Sequence, residues 1–247
     1  DQQKLAIVAN AGTLIAPITM ADYKAGKNRP PNLFSHSDQQ DAHNGLVIGQ
    51  PVRTGWGGRY ADRLVAANAG ALIPSAVSVS GSQLYTAGAT TAPLVVPQNG
   101  GVTVSGQAAD AVSTARYNAL LSLIAAAKAS GNQVVAGGGG VLDKALTANN
   151  TANPILTAGL PAVIDTAFRV NGNLLNTGIA QQLRQVARLI EGRAATGVKR
   201  QVFFVSMGGY DTHTNTITNQ TNLFNQLFPA MNAFYNYTVA AGIANDV

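Results

Sequence analysis

The sequence has no cysteine among its 247 residues. Disulfides and thiolate-ligated metal sites are therefore excluded, although the compartment is not fixed, because an exported protein can do without disulfides. Charge is also scarce, since only 11% of residues are Asp, Glu, Lys or Arg, compared with about a quarter in an average soluble domain. Glu191 is the only glutamate. We therefore expect Asn, Gln, Ser and Thr to form most of the polar surface.

The sequence also lacks long runs of apolar residues and runs of basic residues. No segment approaches the roughly 18 uninterrupted apolar residues of a membrane helix, so no transmembrane segment is expected. The net charge of +5 is spread along the chain without a basic run, which argues against a nucleic-acid partner. The sequence opens at Asp1 with neither a signal-peptide pattern nor an initiator Met. This start predicts a processed or partial chain.

Apolar residues make up 46% of the chain, which is typical of a globular protein. Its length suits one large or two small domains. We interpret residues 1–247 as one α/β domain with a mostly parallel, doubly wound sheet. Within it, residues 76–106 are predicted to form a small β-rich insert, because Asn99-Gly100 lies between two β-branched runs and is typical of a β-hairpin.

One stretch carries most of the predicted chemistry. Residues 202–205 read Val-Phe-Phe-Val, a short apolar run typical of a strand buried on both faces. Two glycines follow, then Asp211 and His213, whose i, i+2 spacing places both side chains on the same side of an extended segment. A carboxylate and an imidazole at the carboxyl end of a parallel strand suit a divalent metal such as zinc. The alternative is that Asp211 caps the next helix and His213 is a polar loop residue.

A second polar cluster lies early in the chain. Residues 33–43 include two of the three histidines, His36 and His43, together with serines and aspartates. A serine where a strand meets a helix lies near the positive end of the helix dipole, which can bind an oxyanion. The alternative is a plain helix cap formed by Ser37 or Asp38.

Other segments are predicted from hydrophobic periodicity and from the positions of glycine and proline. A strand is expected at 5–9, a surface excursion at 147–176, and a close helix crossing or bend at the glycine run 137–140. Pro229 is expected to kink the last helix. The predicted helices cover 19–26, 111–130, the amphipathic segment 178–192, and a long stretch that starts near Thr218 or Thr221.

Three ordered motifs resemble a known family. They are Phe34-Ser35-His36-Ser37-Asp38-Gln39-Gln40, Gly55-Trp56-Gly57-Gly58-Arg59-Tyr60, and Gly208-Gly209-Tyr210-Asp211-Thr212-His213. Together they are similar to a bacterial family of unknown function, exported by the twin-arginine route and placed in the alkaline phosphatase and sulfatase superfamily. Further motifs of that family are absent, so the chain is expected to correspond to the middle of a longer protein.

The resemblance implies a fold, a chemistry and a location. The fold would be the alkaline phosphatase-like sheet, and the location periplasmic or secreted. The chemistry would be metal-dependent hydrolysis of phosphate or sulfate esters, acting on a small anionic substrate. Asp211 and His213 would bind the metal, with zinc as the expected ion, while Ser35 and His36 would supply a nucleophile or an anion-binding group. The alternative is a noncatalytic exported protein that keeps the fold and binds a cell-envelope partner.

Overall fold

The computed structural model describes residues 12–48, 50, 52–102 and 110–247. In these ranges the chain forms nine α-helices and five short strands. The helices are α1 Met20–Lys24, α2 His36–Gly45, α3 Trp56–Arg63, α4 Ala111–Lys128, α5 Gln133–Thr157, α6 Ala162–Ala167, α7 Gly178–Glu191, α8 Arg193–Thr196 and α9 Thr216–Ala240. The strands are β1 Ala76–Ser78, β2 Leu94–Val95, β3 Arg169–Val170, β4 Asn173–Leu174 and β5 Val202–Phe204. The strand predicted at 5–9 lies outside the described residues.

Three strands form a small parallel sheet in the order β2-β1-β5. Val77 at the middle of β1 is in register with Leu94 of β2 and Phe203 of β5. Since parallel strands require a crossover connection, each neighbour comes from a different part of the chain. The prediction of an α/β protein with parallel strands is confirmed. The strand predicted from residues 202–205 is β5, although it covers Val202–Phe204 and is half-buried rather than buried on both faces.

The strands of segment 76–106 belong to this sheet. β1 is its middle strand and β2 pairs with β1 in parallel, so the strands described there are part of the main sheet rather than an insert. The first arm of the predicted hairpin is β2. Its second arm would include residues 103 and 104, which lie outside the described residues.

A β-hairpin does form farther along, where we expected a surface excursion. β3 and β4 pair in antiparallel fashion around Asn171 and Gly172, whose φ angles of 50° and 78° are both positive. Positive φ at both central residues is the requirement of a type I′ turn, which Asn-Gly favours. The prediction of an excursion was wrong, because the segment also contains the end of α5 and all of α6. Their apolar side chains pack into the core, with Leu156, Ile164 and Phe168 buried.

Helices pack against both faces of the sheet. On one face, Val77 belongs to a core cluster with Leu156 of α5 and Leu189 of α7. On the other, the Phe204 ring lies 5.1 Å from that of Tyr85, which contacts Trp56 at the start of α3 edge to face at 4.6 Å. A second core cluster joins α6, α7 and α9. The sheet is therefore the middle layer of the fold.

Helix α7 confirms the amphipathic pattern but is buried more completely than that pattern predicts. Its apolar stripe packs into both core clusters. The opposite face carries Gln182, Arg184 and Gln185, which are also buried. Each of these side chains donates to a backbone carbonyl; Gln185, for example, donates to Gly100 at 2.7 Å and Arg184 donates to Leu175. These bonds offset the cost of removing the polar groups from water.

Predictions for the other helices are largely confirmed. The glycine run lies inside α5, and Gly139 faces α4 so closely that a Cβ would lie 2.8 Å from Ala127 Cβ. This is the predicted close helix crossing. Helix α9 begins two residues before the earlier of the predicted starts and continues through Pro229. Among the described residues, none of the helices combines the length and the apolar character needed to cross a membrane.

Candidate functional site

The carboxyl end of β5 is fixed by contacts with its neighbours. Gln182 Nε2 donates to the Ser206 carbonyl at 2.9 Å, and the Ser206 N–H donates to Gln182 Oε1 at 2.8 Å. The Ser206 hydroxyl also lies 2.5 Å from that of Ser80, just beyond β1. The segment that leaves the sheet is thus attached to both α7 and the adjacent strand connection.

The loop that follows changes direction at Gly209. Its φ of 94° is in a region that residues with a Cβ rarely adopt. Gln220, in the second turn of α9, donates to the Tyr210 carbonyl at 2.9 Å and to Thr212 Oγ1 at 3.4 Å. The Tyr210 ring also packs on Phe224 with centroids 5.8 Å apart. These contacts orient the backbone on either side of Asp211.

Ser35 is the N-cap of α2. Its Oγ accepts a hydrogen bond from the Asp38 N–H at 3.4 Å and lies 3.2 Å from Ser37 Oγ. Capping is therefore correct as a description of this segment, but the cap is Ser35 rather than Ser37 or Asp38. Hydrogen bonding with the Ser35 side chain, and next with that of Asn32, lowers the pKa of Asp38. The first turn of α2 thus carries an ionised carboxylate.

The structure brings His36, Asp211 and His213 together. His36 Nε2 lies 3.6 Å from Asp211 Oδ2, and His213 Nε2 lies 3.4 Å from Asp211 Oδ1. One carboxylate therefore has an imidazole beside each of its oxygens. His36 comes from the first residue of α2, whereas the other two come from the loop after β5. We predicted that the early serine-histidine segment would lie near the Asp211 loop. For His36, the distance to Asp211 shows this proximity.

Ser35 is next to this cluster in sequence, but the hydroxyl contacts described above are local to α2. His43, the remaining histidine, is in the last turn of α2 and is not part of the cluster. The interpretation of Asp211 as the cap of the following helix is not supported, because the N-cap of α9 is Asn215.

The cluster is open to solvent. The side chains of His36, Asp211 and His213 are 77%, 62% and 84% exposed. Asp211 and His213 line a shallow cleft of about 370 Å³ together with residues from the start of α9. Its other lining residues are Gly209, Thr212, Thr214, Asn219, Asn222 and Leu223. A small ligand can therefore reach the carboxylate and His213 directly.

The donor types suit a zinc ion. Carboxylate and imidazole are both zinc ligands, and two ligands of one tetrahedral zinc lie about 3.3 Å apart when each bond is about 2.0–2.1 Å. Both nitrogen-to-oxygen distances in the cluster are close to that spacing. Within the described ranges, however, no group of three or more His, Asp or Glu side chains is arranged to bind one metal ion. The His36–Asp211 and His213–Asp211 pairs each have a spacing that fits a metal ion, but the three side chains do not converge on one ion.

Two positioning residues were missed from the sequence. Gln182 looked like one of several polar residues on the solvent side of α7, and Gln220 lies in an Asn- and Thr-rich stretch without a distinctive pattern. Gln182 contacts the backbone of Ser206, 24 residues later, and Gln220 contacts the backbone of Tyr210, ten residues earlier. Only the three-dimensional arrangement distinguishes them from other glutamines.

No protein-family model, curated protein or solved structure matches the chain.

Proposed function

We propose that the chain is a metal-dependent hydrolase of phosphate or sulfate esters. The observation that supports this proposal is the position of the Asp211 carboxylate, which has the imidazoles of His36 and His213 beside its two oxygens. In a chain with so few ionisable residues, three such groups at the carboxyl edge of a parallel sheet suit a catalytic site. The resemblance to the alkaline phosphatase and sulfatase superfamily and its doubly wound fold points the same way.

Asp211 and His213 would hold the metal, with zinc as the best match to the donor types. A bound zinc ion supplies a Lewis acid and lowers the pKa of a coordinated water to about 7. Because the side chains are largely exposed, rotation about their χ angles is free enough to bring the donors together. His36 would complete the donor set or exchange a proton with the substrate.

Ser35 would contribute through its place at the start of α2. Ten residues long, this helix presents the backbone N–H groups of its first turn and the positive end of its dipole, which favour an anionic group. A phosphate or sulfate ester bound there would lie beside His36. To act as a nucleophile, the Ser35 hydroxyl would exchange its cap bond with Asp38 for a contact with the ester.

Metal content measured together with turnover tests the proposal. The purified protein is loaded with zinc, dialysed, and assayed for bound metal by mass spectrometry and for hydrolysis of p-nitrophenyl phosphate and p-nitrophenyl sulfate. We expect bound zinc and turnover of at least one ester. The double variant Asp211→Ala/His213→Ala should lose both while changing stability only modestly, because both side chains are exposed.

The matched control is Asp41→Ala/His43→Ala. It removes a carboxylate and an imidazole with the same i, i+2 spacing from exposed positions of α2, and it should keep both metal and turnover. Full zinc occupancy in the Asp211→Ala/His213→Ala protein would show that the ligand assignment is wrong. A zinc-free, inactive wild-type preparation would contradict the hydrolase proposal itself.

A second proposal is a noncatalytic exported protein, periplasmic or secreted, that binds an envelope partner. The observation that favours it is the exposure of all three cluster side chains, 62% or more, since active sites generally exclude water from the reacting groups. It predicts a folded protein with neither bound metal nor ester hydrolysis, in which the same variants change partner binding only.

A further inference from the structure

A second concave site lies on α9 and shares no lining residue with the cleft at the histidine-aspartate cluster. It is a groove of about 450 Å³ between one face of α9 and the segment running from the end of α6 into β3. That volume is within the range of small-molecule sites, about 300–1,000 Å³. The residues that line the groove are Ala167, Arg169, Val170, Phe224, Asn225, Phe228, Pro229, Asn232, Ala233 and Asn236.

Two aromatic rings form one part of the groove. Phe224 and Phe228 are one helical turn apart and stack with centroids 5.1 Å apart and planes 9° from parallel. They remain 38% and 54% exposed, because each ring covers only one face of the other. Apolar rings that stay in contact with water at a concave surface gain free energy when a ligand covers them.

A row of amides forms the other part. Asn225, Asn232 and Asn236 recur along the same face of α9, and all three are exposed. Within the described part of the chain, none of these side chains has a hydrogen-bond partner. Pro229 adds to this polarity, because it has no N–H to donate to the carbonyl of Asn225 one turn earlier. The groove therefore offers several donors and acceptors close to the two rings.

Among the described residues that line the groove, one is charged, and it is already paired. Arg169 donates from Nε and Nη2 to the two oxygens of Asp165, at 2.8 and 2.9 Å, and from Nη1 to the Gly172 carbonyl at 2.8 Å. This two-point contact neutralises the guanidinium locally. An anionic ligand would gain little here, so the groove favours a neutral one.

We propose that this groove binds a neutral carbohydrate. A pyranose ring has apolar C–H faces and hydroxyl edges, so it matches a surface that combines aromatic faces with amides. The C–H groups are attracted to the negative faces of Phe224 and Phe228. Each hydroxyl both donates and accepts, as does each Asn side chain. An apolar ligand would instead leave the amides dehydrated without partners, which is costly.

Titration with neutral oligosaccharides tests the site. The full chain is titrated by calorimetry with cellohexaose, chitohexaose and maltohexaose, and the bound sugar is located by the amide signals of the Asn side chains in NMR spectra. We expect at least one of the three sugars to bind and to perturb Asn232 and Asn236. Phe228→Ala and Asn232→Ala should each weaken that binding roughly three- to tenfold, which corresponds to the loss of one such contact.

Two controls distinguish specific binding in the groove from non-specific binding to exposed aromatic rings. Phe228→Trp keeps a ring at the position and should retain binding, and Tyr60→Ala removes a ring of the same 54% exposure on α3 and should have no effect. The proposal is overturned if no sugar binds at millimolar concentration or if Phe228→Ala and Asn232→Ala bind as the wild type does. It is also overturned if only a charged oligosaccharide such as a sulfated glycan binds. None of these readouts depends on metal or ester hydrolysis.

Discussion

Gln182 of α7 and Ser206, two residues beyond the end of β5, exchange two hydrogen bonds, one in each direction. The glutamine side chain pairs with the backbone as a neighbouring strand would. Ser206 lies five residues before Asp211, so this contact fixes the start of the loop that carries the cluster.

Removing the Gln182 side chain should destabilise the protein. In Gln182→Ala the partly buried N–H and C=O of Ser206 lose their partners, and the loss of two such hydrogen bonds costs about 1–3 kcal/mol. The free energy of unfolding, measured with urea, should fall by about that amount. Gln133→Ala is the control, since Gln133 is exposed at the start of α5, and an equal loss in both variants would contradict the assigned role.

Neighbouring glycines of α5 should respond in opposite directions to alanine. A Cβ at Gly138 meets nothing within 4 Å, whereas one at Gly139 lies 2.8 Å from both Ala127 Cβ and the Lys128 nitrogen. Gly138→Ala should therefore stabilise the protein by about 0.5–1 kcal/mol through helix propensity. Gly139→Ala should lower the thermal unfolding temperature, because α4 would have to move. Two changes of the same sign would contradict the described crossing.

Asp62 should make stability depend on acid pH. Burial by itself raises the pKa of Asp62, but hydrogen bonds from the Ala89 N–H, the Thr90 side chain and the Thr91 N–H outweigh it, and the net pKa is lowered. A lowered folded-state pKa contributes stability above the unfolded value of about 3.9. That contribution is lost as the pH falls toward the folded value.

The test is Asp62→Asn, measured by urea unfolding between pH 7 and pH 2. At pH 7 the variant should be less stable by about 1–3 kcal/mol, because charged acceptors bind backbone N–H groups more strongly than neutral ones. The difference from the wild type should shrink as the pH falls below about 4. A difference that stays constant over the whole range would rule out the carboxylate as its source.

Tyr237 should make the free energy of unfolding depend on pH in the alkaline range. Its ring is fully buried, and its hydroxyl donates to Glu191 Oε1 at 2.8 Å. Burial, followed by the bond to Glu191, raises the pKa of Tyr237. A raised folded-state pKa contributes stability that is complete below the unfolded value of about 10 and is lost at higher pH.

We expect Tyr237→Phe to cost about 1–2 kcal/mol at pH 7, through loss of the hydrogen bond. As the pH rises above about 10, the wild type should lose this advantage and the two unfolding free energies should converge. Tyr60→Phe, at an exposed position, serves as the control and should match the wild type throughout. A gap between wild type and Tyr237→Phe that widens with pH would contradict the assignment.

Periodicity was sufficient to predict the elements whose pattern is local. The apolar stripe of α7 and the Val-Phe-Phe-Val run of β5 depend only on neighbouring residues, and both elements formed at the predicted places, although β5 is half-buried rather than buried on both faces. The approach of His36 to Asp211 was also anticipated, but only Asp211 follows a strand of the sheet, since no described strand precedes α2.

The wrong prediction of a surface excursion at 147–176 has a physical cause. The segment from α5 to β4 is rich in Asn and Thr, which favour loops when judged by composition, but its buried contacts with α7 and α9 outweigh that preference. Of the three Asn-Gly pairs, Asn44-Gly45 ends helix α2 and Asn171-Gly172 makes the described hairpin, whereas the hairpin predicted at Asn99-Gly100 has its second arm outside the described residues. Local propensity does not distinguish them, since the choice depends on what packs against each segment.

The pairing of His36 with Asp211 joins segments from opposite ends of the described chain. Any ion or substrate that contacts both residues would stabilise the folded state, because it would have to dissociate before the two segments separate. Ligand binding would then raise the melting temperature in proportion to the logarithm of its concentration. Thermal shift would report occupancy of the cluster even for a ligand that is never chemically converted.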